Sequence, residues 1–167
     1  MALYDKVTSA IAKIGLWFIG ISYAVMTVVT LIEVLRRYFF GLSFGWAEEL
    51  VRFLLVTTTF VGGAVAFHKG SLVLFDALLN RLSERNAHIL NIINNVIILI
   101  FSFAVLRLGV NYIMTPAVLL QKSPGLKLPF FVPYAFIPLG FLMIILFSIG
   151  KLWHSCRFVF TKGGGAA

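Results

Sequence analysis

"IGLWFIGISYAVMTVVTLIEVL", residues 14–35, decides the fold class. Its only charge is Glu33, close to the far end, and about 20 mostly apolar residues are enough for a helix to cross the hydrocarbon core of a bilayer. Three more runs of this kind follow. Residues 50–67 enter through Arg52 and contain Gly62-Gly63. Residues 89–114 carry Asn91, Asn94, Asn95, Arg107 and Asn111. Residues 130–152 open with a proline-rich entry, and Pro138 is expected to kink the helix. The predicted fold is an all-α membrane protein, four tilted transmembrane helices in a single domain over residues 1–155.

Composition agrees with that reading. The chain has 167 residues, 60% hydrophobic and 12% charged, with a mean hydropathy of +1.00. A soluble domain of this size cannot hide so much apolar surface. The net charge of +8 sits between apolar runs, without the interleaved aromatics of a nucleic-acid surface, so no nucleic-acid partner is expected. A lone cysteine, Cys156, excludes an internal disulfide and a cysteine-only metal site. The N-terminus leads into a run too long for a secretory signal and is expected to be a retained first helix. Residues 156–167, ending "TKGGGAA", are expected to form a polar, flexible tail.

Between spans two and three lies "SLVLFDALLNRLSERNAH", in which Leu72, Phe75, Leu78, Leu79 and Leu82 recur at helical spacing. An amphipathic interfacial helix over about residues 71–84 is predicted. With the N-terminus inside, the inner side would hold eight lysines and arginines and the outer side five. Both termini are therefore expected in the cytoplasm.

That orientation makes one segment unusual. "RRYFFGLSFGWAEELVR", residues 36–52, packs three arginines and two glutamates on the side where arginine is usually scarce. Glu33 stands four residues before Arg37, and Glu48 four before Arg52, with Glu49 three before it, in the favourable acid-first order. Trp46, Tyr38, Phe39 and Phe40 supply an interfacial aromatic belt. Glu33, Arg36, Arg37, Trp46, Glu48, Glu49 and Arg52 are thus a structural charge cluster tying span one to span two, or a polar docking surface for another subunit. A catalytic carboxylate pair fits poorly, because neighbours on a helix point about 100° apart.

Arg107 and Asn111 share one face of span three, with Asn91, Asn95 and Ser102 on the other. Intramembrane asparagines are most simply interhelical glue, and an arginine there snorkels or faces protein. A substrate path is the alternative. His68, His88 and His154 all fall at predicted cytoplasmic ends, where bis-histidine haem would lack burial, so no cofactor or metal is expected.

The order of features resembles the small membrane subunit, Q or DctQ-like, of tripartite ATP-independent periplasmic (TRAP) transporters. The resemblance is carried by "RRYFFGLSFGWAEELVRF", "GGAVAFHKGSLVLFDALLNRLS" and "LPFFVPYAFIPLGFLMI", and covers about residues 14–152. It implies a non-catalytic scaffold in the bacterial inner membrane, beside a large, sodium-coupled, elevator-type membrane subunit (M) and a periplasmic substrate-binding protein (P), with membrane lipids around it. The implied cargo is an organic acid, sialic acid or a C4-dicarboxylate. Competing expectations are the membrane anchor of a redox enzyme complex and a self-assembling channel.

Overall fold

The computed structural model describes residues 2–70 and 84–162. The interfacial helix expected over 71–84 lies outside the described residues, except for its last position. Four long helices dominate: α1 (Ala2–Phe40), α2 (Ala47–Lys69), α3 (Glu84–Ile113) and α5 (Phe131–Lys162), with a single-turn α4 (Pro116–Leu120) after α3. Each of the four is long and apolar enough to cross a membrane.

The helices outrun the apolar segments that announce them. The 39 residues of α1 measure about 58 Å at 1.5 Å per residue, against a hydrocarbon core of about 30 Å. Residues 14–35 therefore mark only the lipid-crossing part, and the helix continues through Lys6 and Lys13 at one end and Arg36 and Arg37 at the other. Likewise α5 runs to Lys162, so the stretch expected as a tail from residue 156 is helical for its first half.

Packing follows the order α1, α2, α5, α3. Helix α5 lies against both α2 and α3, while α1 packs mainly on α2 and barely reaches α5. The shared core is Ala12, Val61, Ala64, Val65, Phe67, Met143 and Phe147. Small residues set the spacing: a Cβ added to Gly140 of α5 would stand 2.8 Å from the Phe60 carbonyl oxygen of α2. Pro138 cannot donate an N–H within α5, and its ring lies against Gly109 of α3. The buried threonine hydroxyls of α2 satisfy themselves on their own helix: Thr57 donates to the Phe53 carbonyl and Thr58 to that of Leu54, both at 2.8 Å.

This open layer leaves large apolar side chains exposed on α1 and α3, Ile21, Leu31, Phe101 and Phe103 among them. In water that would be a liability; in lipid it is the required surface. The start of α1 and the C-terminal half of α5 lie at one end, where the Tyr4 hydroxyl of α1 donates to the Leu146 carbonyl of α5 and accepts from the Gly150 N–H. The connections 41–46 and 114–130 meet at the other. We call these the terminal end and the loop end.

Candidate functional site

The charge cluster lies at the loop end, and its carboxylates do something the spacing does not predict. Glu33, near the end of α1, accepts hydrogen bonds from the Ser43 hydroxyl and from the Phe44 N–H, the latter at 3.0 and 3.1 Å to its two oxygens. It therefore holds the α1–α2 connection, which leaves α1 through Gly41 at φ +63°. Arg36 stacks on the Phe44 ring, 3.6 Å from its centroid, and Phe44 in turn meets Trp46.

Glu49, in the first turn of α2, reaches across the molecule. It accepts from the Ser123 hydroxyl, from the Gly125 N–H (3.0 and 3.1 Å) and from the Leu126 N–H (2.9 Å). Those donors belong to a small hairpin closed by Ser123 N–H to the Leu128 carbonyl (2.8 Å) and Phe130 N–H to the Gln121 carbonyl (3.1 Å). Gly125 presses so closely on the α1–α2 connection that an added Cβ would fall 2.4 Å from the Gly45 carbonyl oxygen. Ser123 is buried in this junction.

The acid-to-arginine pairs suggested by helical spacing are thus not the main contacts of these glutamates. Loop N–H groups and serine hydroxyls are, because a charged acceptor facing backbone donors forms strong, geometrically fixed hydrogen bonds. Burial divides the two adjacent glutamates: Glu49 is half-buried in the junction, and Glu48 is exposed. Arg37 and Arg52 are exposed as well, while Arg36 is half-buried under its aromatic contact. Ser43, Ser123, Gly125 and Leu126 escaped the sequence reading; the serine-glycine turns around them were the available signal.

Elsewhere the polar residues of α3 separate by face. Asn95 is buried, donating to the Asn91 carbonyl at 2.8 Å, and its side-chain oxygen accepts from Ser148 of α5 at 3.1 Å. Arg107 and Asn111 are exposed on the opposite side. At the terminal end His68 is half-buried against Phe147 and His154 is exposed, both lining a cavity of about 190 Å³. That is below the usual range of ligand sites, about 300–1,000 Å³. Among the described residues no group of three or more histidines, cysteines or carboxylates could hold a metal ion.

Similarity to known proteins covers most of the chain. The family described as "Tripartite ATP-independent periplasmic transporters, DctQ component" matches residues 26–158. The isethionate TRAP transporter permease protein DctMQ of Oleidesulfovibrio alaskensis is 31% identical over 96 residues, 58% of this chain but 15% of that protein. The ectoine TRAP transporter small permease protein TeaB of Halomonas elongata is 24% identical over 141 residues, 84% of this chain and 73% of the relative. The C4-dicarboxylate TRAP transporter small permease protein DctQ of Rhodobacter capsulatus is 29% identical over 100 residues, 60% of this chain and 44% of the relative.

Proposed function

The chain belongs to the DctQ component family of the tripartite ATP-independent periplasmic transporters, and from that premise we propose that it is a non-catalytic scaffold that pairs with a large membrane subunit. It is a small permease subunit and a multi-pass inner-membrane protein, not an enzyme. The loop end, which we assign to the periplasm with both termini cytoplasmic, helps to dock a substrate-binding protein. Sodium coupling, elevator movement and cargo recognition belong to the partners in this reading.

The observation that carries it is the construction of the loop end. Two connections from different parts of the chain are fixed to helices by Glu33 and Glu49 and pressed together at Gly45 and Gly125. Around them stand the exposed groups Tyr38, Phe39, Phe40, Arg37, Glu48 and Arg52. A preorganised plate of mixed charge and aromatic surface suits reversible protein docking, where electrostatic complementarity governs encounter and register. Pairing with a large subunit is supported by the DctMQ relative, 85% of whose length lies outside its match to this chain (100 less the 15% matched).

The cargo class we favour is small organic acids, with sialic acid and C4-dicarboxylates as members; isethionate, ectoine and C4-dicarboxylate are the cargoes in the relatives' names. The test is uptake of labelled cargo into liposomes holding the large subunit, with sodium gradient and binding protein supplied, with and without this chain. Uptake that collapses without the chain supports the scaffold reading. Full uptake in its absence, or transport by this chain alone, overturns it.

A further inference from the structure

Between α1 and α2 at the loop end runs an open groove of about 470 Å³. Its composition changes along its length. Glu33 and Arg37 from α1, with Glu48 and Arg52 from α2, line the part nearest the connections. Val34, Ala47 and Val51 stand among these charges; deeper, where α1 descends toward residue 29 and α2 toward residue 55, the walls are Thr30, Val29 and Leu55 and carry no charge.

We infer that this groove is a binding site for a zwitterionic aminophospholipid, its headgroup among the charges and its upper acyl chain against the valines and Leu55. Three observations converge. First, the gradient from charged to apolar runs along the helix axes, and so along the membrane normal, as a lipid lying beside a span requires. Second, the four charged groups sum to zero, with an acid and a base one turn apart on each helix, so the groove offers both signs to a ligand that carries both. A phosphate can take the guanidinium groups of Arg37 and Arg52, and Glu48 can take an ammonium; an anionic lipid would gain the first contact and meet repulsion at the second. Glu33 is already committed to Ser43 and Phe44, which leaves the exposed Glu48 as the acceptor. Third, a volume of about 470 Å³ is in the range of small-ligand sites and suits a headgroup with the first part of an acyl chain.

Arg37, Glu48 and Arg52 belong to the docking plate as well, but lipid retention is read on this chain alone and uptake on the assembled transporter, so the two readings fail separately. The experiment is native mass spectrometry of the full-length protein after exposure to vesicles of equimolar phosphatidylethanolamine and phosphatidylglycerol. The wild type is expected to retain one phosphatidylethanolamine in preference to phosphatidylglycerol. The double variant Arg37→Gln, Arg52→Gln should lower that retention roughly tenfold. Glu48→Gln, conservative and at an exposed position, should abolish the preference between the two lipids while leaving one bound. Leu55→Trp should expel the lipid with every headgroup charge in place. Equal retention of both lipids by the wild type, or retention by the double variant and Leu55→Trp at the wild-type level, overturns the inference and leaves only annular lipid. In a separate co-purification with the large subunit, a double variant that sheds that subunit while keeping its lipid would make the groove a subunit interface, and the proposal would fall.

Discussion

At the loop end, carboxylates of Glu33 and Glu49 receive backbone N–H groups; at the terminal end, Lys151 donates to the Phe67 carbonyl near the end of α2, and Tyr4 bridges a carbonyl and an N–H of α5. For Glu49 and Lys151 the contrast fits the direction of α2. Its N-terminus, with Glu48 and Glu49 in the first turn, lies at the loop end, and its C-terminus, with Lys69, lies at the terminal end. A helix start exposes donors and positive dipole; a helix end exposes acceptors and negative dipole. Acidic side chains are therefore useful at one end and basic ones at the other. The loop end adds a second difference, since its carboxylates fix connections, whereas the terminal-end groups join helix to helix. Local opening is therefore expected at the loop end, while opening the terminal end should loosen the helix layer.

Removing Glu49 should break the comparison most visibly. Glu49→Ala leaves the Ser123 hydroxyl and the Gly125 and Leu126 N–H groups without their acceptor. Amide exchange measured by mass spectrometry is expected to rise sharply over residues 121–130 and to stay unchanged over α5 beside Tyr4. Wild-type protection of that hairpin in the variant would mean that its own Ser123–Leu128 and Gln121–Phe130 bonds suffice. The second effect in size comes from Gly125→Ala. Its Cβ would collide with the Gly45 backbone, which cannot rotate away as a side chain could. A cost of about 1–3 kcal/mol is expected, read as a lower unfolding midpoint in detergent. An unchanged midpoint would show the two connections to be free to separate.

At the terminal end the expected loss is smaller. Tyr4→Phe removes one hydroxyl, but its partners, the Leu146 carbonyl and the Gly150 N–H, stand four residues apart on α5 and can bond each other. A cost near the low side of roughly 0.5–1.5 kcal/mol is expected, again from the unfolding midpoint. A loss exceeding that of Gly125→Ala would reverse the ranking of the two ends.

Much of this fold was legible in the sequence, and the limits are physical. Spans can be read because crossing a bilayer demands an unbroken apolar run, a local property visible at residues 14–35 or 89–114. Helix ends cannot, because α1 continues past both membrane boundaries on residues such as Lys13 and Arg36 that suit a helix in water equally well. The cluster residues could be picked out by charge, yet their contacts could not. Helical spacing describes neighbours three and four apart, whereas Glu49 meets donors 74 to 77 residues away. A serine-proline-glycine turn at 123–125 advertises free N–H groups without naming their acceptor. On α3 the separation of Asn95 from Arg107 was visible because it depends only on helical period; that Asn95 meets Ser148 was not, since periodicity says nothing of which helix lies opposite.

An effect as small as that of Tyr4→Phe lies at that contact, away from both sets of end groups. Ser148 is fully buried and donates to the side-chain oxygen of Asn95, joining α5 to α3. In water-soluble cores, a lost buried partner commonly costs 1–3 kcal/mol. In a bilayer the reference state also keeps its hydrogen bonds, because each helix remains inserted and its side chains find other partners. Asn95 illustrates this directly: its amide already donates to the Asn91 carbonyl on its own helix. Ser148→Ala is therefore expected to cost about 0.6 kcal/mol, measured by reversible unfolding in mixed micelles. A loss of several times that size would mean that the α3–α5 seam depends on this polar contact. The end groups would then trim a structure fixed in its interior, and the contrast between loop end and terminal end would concern local opening alone.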